Sequence, residues 1–379
     1  MGSNISPEVI AVQGGGDIDT ETGAVIPPVH MATTYERDPD NSYSRGYVYG
    51  RPDNPGIARC ERVINTLEGG AATIVLPSGM TAATFLFLAL DRPAHIVAPT
   101  VMYWGLRKWL INDAPGFGIE TTFVDGADPS AVAAAIKPGR TKLVWLETPS
   151  NPLWSISDIA GTSDVAHRAG ALVGVDSTAA TPVLTRPLEL GADVVMHSAT
   201  KYLNGHSDVL AGSLTFASDG AIAARVRGLR GSLGAILGPM EAALLLRGMR
   251  TLFVRVRHQS AAALEIARAM AVHPNIADVL YPGLERHPAH ALASRQMRGG
   301  FGGMLSIRCA GGEAHAIATA ARLQVWVRAT SLGGIESLVE HRASIEGSGS
   351  PCPPDLLRLS VGLEPADVLI DDLSRALSA

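Results

Sequence analysis

ALVGVDSTAATPVLTRPLELGADVVMHSATKYLNGHSDVLAG, residues 171–212, is the stretch whose reading decides the fold. It opens with an apolar, β-branched run, ALVGVD at 171–176, and reaches a second, ADVVMHS at 192–198, after a helix-like segment. Short apolar runs spaced in this way predict parallel strands covered on both faces. The same rhythm continues upstream. ATIVL at 72–76 precedes SGMTAATFLFLAL, HIVAP at 95–99 precedes YWGLRKWLI, and TKLVWLE occupies 141–147. The expectation is an α/β fold on a mainly parallel sheet, in which ligands sit beyond the carboxyl ends of the strands. Ser78-Gly79, Tyr103, Glu147 to Asn151, Asp176 and Ser198 to Lys201 each follow a predicted strand end, so five segments converge on one crevice.

Outward from that core, the chain of 379 residues is long enough for two packed domains. A net charge of −5 with mixed signs carries no nucleic-acid footprint. Cys60, Cys309 and Cys352 are too few and too scattered for a disulfide framework or a zinc site, which points to a reducing cytoplasm and no metal. The N-terminus MGSNISPEV lacks a leader pattern and no apolar run is long enough to span a membrane, so the expected protein is soluble and unexported.

Residues 1–55 are rich in turn formers, with GGGD at 14–17, IPPV at 26–29 and NSYSRGYVYGRPDNPG at 41–56, and read as an extended arm. Such an arm stays ordered by packing on something, a partner subunit being one candidate. Ile57, Cys60, Val63, Ile64 and Leu67 share one helical face, and Gly69-Gly70 stops that helix. A large domain that holds the crevice would then span 56–250. Long helices at 240–270, a glycine-entered strand in GGFGGMLSIRC (299–309), a helix at 315–323, strands in VWVRATS and LLRLSVG, and a helix near 366–377 describe a smaller α/β domain, 251–379. SGSPCPP at 348–354 is a loop.

Lys201, between Ser198-Ala199-Thr200 and a glycine exit, lies 25 positions after Asp176, which puts the two at neighbouring strand ends. Pyridoxal phosphate requires a lysine for its Schiff base and an acid that keeps its pyridine nitrogen protonated. PSGMTAA at 77–83 adds a glycine turn and a helix N-terminus that would favour a phosphate. Tyr49 and Arg51 could add bonds to that phosphate, as could the hydroxyls of Ser198 and Thr200. Taken singly, each has an ordinary alternative: a solvated lysine, an aspartate capping a helix, a packed tyrosine.

Nearly the whole chain resembles the pyridoxal-phosphate enzymes of cysteine and methionine metabolism, the group of cystathionine γ-synthase, cystathionine γ-lyase, cystathionine β-lyase and methionine γ-lyase. The residues that carry the resemblance are YGRPDNP at 49–55, LPSGMTA at 76–82, ETPSNPL at 147–153, VDST at 175–178 and RPLELGADVVMHSATKYLNGHSDVLAG at 186–212, followed by GGFGGMLS, SLGGIESL and LRLSVGLE. The resemblance implies a PLP-dependent transferase fold of type I, aspartate aminotransferase-like. It implies that Lys201 bears the cofactor, Asp176 pairs with the pyridine nitrogen, Tyr103 stacks on the ring and Asn151 bonds the phenolic oxygen. Ser78, Gly79 and Met80, with Ser198 and Thr200, would hold the phosphate, joined by Tyr49 and Arg51 from a neighbouring subunit. Arg358, helped by Ser331, would bind the α-carboxylate of an amino-acid substrate. A homodimer with shared sites, and a homotetramer, are implied as well.

The implied reaction is elimination or replacement at Cγ. The freed lysine moves protons and Tyr103 protonates the leaving group, after which a nucleophile adds or a 2-oxo acid and ammonia are released. Glu336 stands where γ-acting members carry an acid and β-lyases tend to carry an aromatic residue. Two stretches depart from the family pattern: Trp104-Gly105-Leu106 replaces two glycines and a threonine, and EHRASIEG at 340–347 lacks the usual proline and methionine-threonine-histidine. The extra acid at Glu346 raises a γ-lyase for a cationic substrate such as canavanine as an alternative. Methionine γ-lyase is less favoured because its distinctive cysteine near the tyrosine is absent, and cystathionine β-lyase is the remaining alternative.

Overall fold

The computed structural model describes residues 5–347 and 349–379; Met1–Asn4 and Ser348 of the 348–354 loop lie outside the described residues. Seven strands form the larger sheet: β1 (Ala72–Leu76), β2 (Ala94–Pro99), β3 (Ile119–Val124), β4 (Thr141–Glu147), β5 (Leu172–Asp176), β6 (Val194–His197) and β7 (Gly212–Phe216). Their order is β1-β7-β6-β5-β4-β2-β3. β3, β2, β4, β5 and β6 pair in parallel, and β7 runs antiparallel between β6 and β1. The sheet is thus mainly parallel, as the sequence predicts.

Two of its strands are not evident in the sequence. β3, IETTFV, is an edge strand in which three of six residues are polar. β7, GSLTF, follows β6 without an intervening helix, and only such a helix would return the chain in parallel. Gly212 opens β7 where a side chain is impossible, because a Cβ there would lie 2.1 Å from the Ser78 carbonyl oxygen. The strand therefore runs hard against the turn that leads into the helix Gly79–Leu88.

The covering layers follow from the apolar patterns. The helix Pro55–Glu68 buries Ile57, Cys60, Val63, Ile64 and Leu67 and ends at Gly69 in the left-handed conformation, as its glycine pair predicts. On that side Tyr202, Leu203 and Met249 complete the core. On the other side Leu86 and Phe87 pack with Trp145, the Phe87 and Trp145 rings meeting edge to face with centroids 5.1 Å apart. Residues 5–54 hold one short helix, Pro7–Gln13, absent from the arm as read from sequence. It is tied to the body by Glu8, which accepts two hydrogen bonds of 2.8 Å from Arg257.

The second sheet contains β8 (Ile276–Leu280), β9 (Met304–Cys309), β10 (Val327–Arg328), β11 (Leu338–His341) and β12 (Leu356–Ser360), in the order β10-β11-β12-β9-β8. It is antiparallel except where β10 meets β11. The helices Leu252–Met270 and Ala366–Ser378 pack on it through Ile266, Leu369 and Leu373. VWVRATS yields only two paired residues at the sheet edge, whereas LVEH inside the 331–347 region is a buried strand. Among the described residues no helix is long and apolar enough to cross a membrane.

Candidate active site

β1, β4, β5 and β6 end together, and a cavity of about 260 Å³ opens there. Its wall includes Ser78, Gly79 and Met80 after β1, Tyr103 after β2, Glu147 and Asn151 at the end of β4, Asp176 and Thr178 after β5, and Ser198, Thr200 and Lys201 after β6. The five segments expected to converge do converge. Leu332, from the segment preceding β11, closes the far side.

The turn after β1 is a helix start. Ser78 Oγ accepts from Thr81 N–H at 3.0 Å, leaving the amides of Gly79 and Met80 at the first positions of the helix Gly79–Leu88. Gly79 has no room for a side chain, since a Cβ would meet Ser198 Cβ at 2.8 Å. Backbone amides and the Ser198 side chain therefore sit side by side, the arrangement that suits a phosphate. The Thr200 hydroxyl is held by the Ala211 backbone, accepting from its N–H at 2.9 Å and donating to its carbonyl at 3.1 Å. Thr178, missed by the sequence reading as a site residue, orients Ser198 by accepting its N–H at 2.8 Å.

Lys201 Nζ donates to Ser331 Oγ at 2.8 Å. Burial, with the Arg358 guanidinium nearby, pulls its pKa down to about 8. Asp176 is buried and accepts Thr178 N–H through Oδ1 at 3.0 Å. Burial raises its pKa, against the pull of the Thr178 bonds and His197. Beside it in register, Glu147 is pushed up to about 8 by burial and by Asp176. The Tyr103 side chain is half exposed, and Gly105 lies directly against it, where a Cβ would come within 3.0 Å of the ring.

The unusual Trp104 does not enter the cavity. Its ring faces the Arg107 guanidinium and the Lys108 ammonium, each 5.2 Å from the centroid. Leu106 does line the wall. Half-buried Trp104 therefore lies outside the cavity wall, and of the two departures only Leu106 reaches it.

Arg358, on β12, is 4% exposed. It donates to Asn151 Oδ1 at 3.2 Å, to the Ser331 carbonyl at 2.7 Å and to Glu340 Oε2 at 2.6 Å. Ser331 thus serves both cations, its hydroxyl on Lys201 and its carbonyl on Arg358. It does so at φ 107°, a conformation unusual for a residue with a Cβ. Burial and Arg342 lower the Arg358 pKa to about 10, so the group remains cationic near neutrality.

Glu340 Oε2 also accepts from Arg342 Nη1 at 2.8 Å, and Arg342 in turn binds Glu346 Oε1 through Nε at 3.0 Å and Nη2 at 2.7 Å. This buried row, Arg358–Glu340–Arg342–Glu346, is not visible in EHRASIEG, because linear order does not show which side chains turn inward. Glu346 is engaged by Arg342 from its own helix, so it is not the open acid that the sequence reading considered for a cationic substrate.

Five expected site residues are absent from the cavity wall of their own chain: Ser331 and Arg358 bond directly to the wall residues Lys201 and Asn151, whereas Glu336, Arg51 and Tyr49 stand apart. Glu336 is half-buried and bonded to the Ser207 hydroxyl in the loop after Lys201. Arg51 donates to the Gly231 carbonyl at 2.8 Å and lies over the exposed Tyr49 ring at 5.7 Å. Among the described residues no cluster of His, Cys, Asp or Glu has metal-binding geometry.

A sequence model of the Cys/Met metabolism PLP-dependent enzymes matches residues 8–378. The chain is 42% identical over 377 residues to a cystathionine gamma-synthase of Mycobacterium tuberculosis, covering 98% of this chain and 96% of that protein. It is 37% identical over 378 residues to a cystathionine gamma-lyase of Bacillus subtilis, covering 98% of each. A solved structure of metB from Corynebacterium glutamicum superposes with a TM-score of 0.96 at 36% identity, covering 99% of this chain and 98% of that one. The cavity of this chain has a lysine amine, an acid one strand away, and a glycine-paved helix start with room for a phosphate, the donor set that pyridoxal phosphate requires. The chain belongs to the pyridoxal-phosphate-dependent enzymes of cysteine and methionine metabolism, and pyridoxal 5′-phosphate is its cofactor.

Proposed function

We propose that the enzyme acts at Cγ of a homoserine- or cysteine-pathway amino acid, with γ-replacement of the cystathionine γ-synthase kind as its main reaction and γ-elimination as the outcome without an acceptor. The observation that carries this reading is the placement of one neutral-capable amine, Lys201 Nζ, 2.8 Å from Ser331, whose carbonyl is 2.7 Å from Arg358. A single base beside the carboxylate anchor can serve successive proton transfers along a short substrate. Support for Cγ comes from whole-length likeness to the synthase and the lyase, together with Glu336 in place of an aromatic residue.

Bound pyridoxal phosphate supplies an electron sink for negative charge beside the substrate nitrogen. The chain supplies the rest. Ser78, Gly79, Met80, Ser198 and Thr200 would hold the phosphate, Asp176 would pair with the ring nitrogen, Asn151 would bond the phenolic oxygen and Tyr103 would cover the ring. Arg358 binds the α-carboxylate, Lys201 moves protons between adjacent carbons, and the Tyr103 hydroxyl donates to the leaving group. Glu336, fixed by Ser207, remains the candidate for recognising the distal end of the substrate. The cationic-substrate alternative loses its basis, because Arg342 occupies Glu346.

Tyr49 and Arg51, on the surface and away from their own cavity, fit a role in the site of a second copy, and we assign residues 1–55 to that contact, 56–250 to the cofactor-binding part and 251–379 to the smaller part. Exposed Val25, Ile26 and Met31 on the arm agree with a homodimer, and a homotetramer would pair such dimers. Three free, buried cysteines fit a cytoplasmic setting.

With O-acetyl- or O-succinylhomoserine plus cysteine, mass spectrometry is expected to show cystathionine, and without a thiol 2-oxobutanoate. Turnover of canavanine but of neither acylhomoserine would refute the assignment. A second expectation concerns pH. Capture of the cofactor needs the unprotonated Lys201 amine, and a pKa lowered to about 8 leaves that form growing as pH rises to 8. The capture rate of the cofactor-free protein, followed by absorbance, should rise about tenfold per pH unit below 8 and level above it. A rise that continues to pH 10 would show an ordinary lysine.

A further inference from the structure

Glu147 is the last residue of β4 and stands in register with Asp176 at the end of β5. It is 6% exposed, and each of its carboxylate oxygens has a separate task. Oε2 accepts the backbone N–H of Tyr103 at 2.6 Å, and Oε1 accepts the backbone N–H of Asn151 at 2.8 Å. Tyr103 caps the helix Trp104–Asn112, whose free N-terminal amides favour an anion, and it has no side-chain cap of its own. Asn151 in turn presents Oδ1 to Arg358. One buried carboxylate therefore ties together the segment that covers the cofactor ring and the segment that reaches both its phenolic oxygen and the substrate anchor.

We propose that Glu147 is a positioning residue for the cofactor, holding Tyr103 and Asn151 at a set separation beside Asp176. The inference rests on the cofactor roles given above to Tyr103 and Asn151. A purely structural acid would not be placed so close to a second buried acid, because like charges in a dry site repel. The arrangement costs stability in the cofactor-free protein and yields a preorganised site.

The test is Glu147→Gln. Glutamine has nearly the same shape but one acceptor oxygen. Its NH2 must face one of the two backbone N–H donors, so either Tyr103 or Asn151 is released. The dissociation constant of pyridoxal 5′-phosphate, measured by absorbance titration of the cofactor-free protein, is expected to rise about tenfold or more. Above pH 8, where the Glu147 carboxyl is ionised, the melting temperature of that same cofactor-free protein should stay level or increase, since the repulsion from Asp176 is gone. A dissociation constant within about twofold of wild type, a parallel loss of stability, or failure to fold would each overturn the proposal.

Hydrogen exchange on the wild-type protein gives a check without any variant. The amides of Tyr103 and Asn151 should exchange slowly, and fast exchange at both would count against it. Asn151→Ala, titrated alongside, separates the two layers of the argument. If it weakens the cofactor while Glu147→Gln does not, the inference about Glu147 fails; if it has no effect, the role given to Asn151 fails.

Discussion

Lys201→Ala is expected to lower turnover on the order of 10⁴-fold or more and to remove the chain's ability to be labelled by borohydride in the presence of pyridoxal phosphate. Two functions are lost together, because one amine both attaches the cofactor and moves the protons. The structure also predicts what does not change. Lys201 is a buried amine with a pKa pulled down to about 8, so below that pH its ammonium form is held at a cost. Unfolded, the same lysine binds its proton up to its ordinary pKa. Between about pH 8 and pH 10 the unfolded chain therefore holds more protons, and this group's contribution makes stability rise with pH in that window. Alanine removes that cost, along with the 2.8 Å bond to Ser331. The variant is expected to melt at or above the wild-type temperature near neutrality while being inactive. Activity within tenfold of wild type, or borohydride labelling of another lysine, would overturn the assignment.

Arg358→Met carries the second large effect. A guanidinium held by Asn151, Ser331 and Glu340 is a rigid, prepaid anchor for a carboxylate. Its removal is expected to lower kcat/KM on the order of 10²–10³-fold, the worth of a pair of charge-assisted hydrogen bonds, mostly through KM. Absorption by bound cofactor should persist, because Arg358 is absent from the cavity wall around the ring. Removing one member of a buried pair usually costs about 3–5 kcal/mol. Here Glu340 keeps Arg342 as a partner, so the loss of stability should be smaller. Arg358→Met combined with Glu340→Gln should recover part of that stability and none of the affinity. Wild-type KM in Arg358→Met would show that the α-carboxylate binds elsewhere.

The row Arg358–Glu340–Arg342–Glu346 changes the meaning of the most unusual stretch of sequence. Read linearly, Arg342 and Glu346 are two departures from a family pattern. Folded, they are an i, i+4 pair on one turn of helix, both side chains buried. Their charges close on each other, and no acid is left over to receive an amine.

The sequence alone determined the features that depend on local periodicity and chain-end chemistry. Short apolar runs predicted the parallel strands, glycine pairs marked the helix stop at Gly69, and strand-end positions collected Ser78, Tyr103, Asp176 and Lys201 into one crevice, because every parallel strand delivers its last residue to the same edge. The antiparallel β7 and the half-polar edge strand β3 were not legible, since partner and direction are set by connection length and by neighbours far along the chain. Only the tertiary structure decided which acids face which donors: Glu147 bridging two backbone amides 48 residues apart, Arg342 closing on Glu346, Ser331 joining Lys201 to Arg358. The physical reason is that a charged side chain inside a protein is defined by the partners that replace its water, and those partners come from segments that sequence order does not place together.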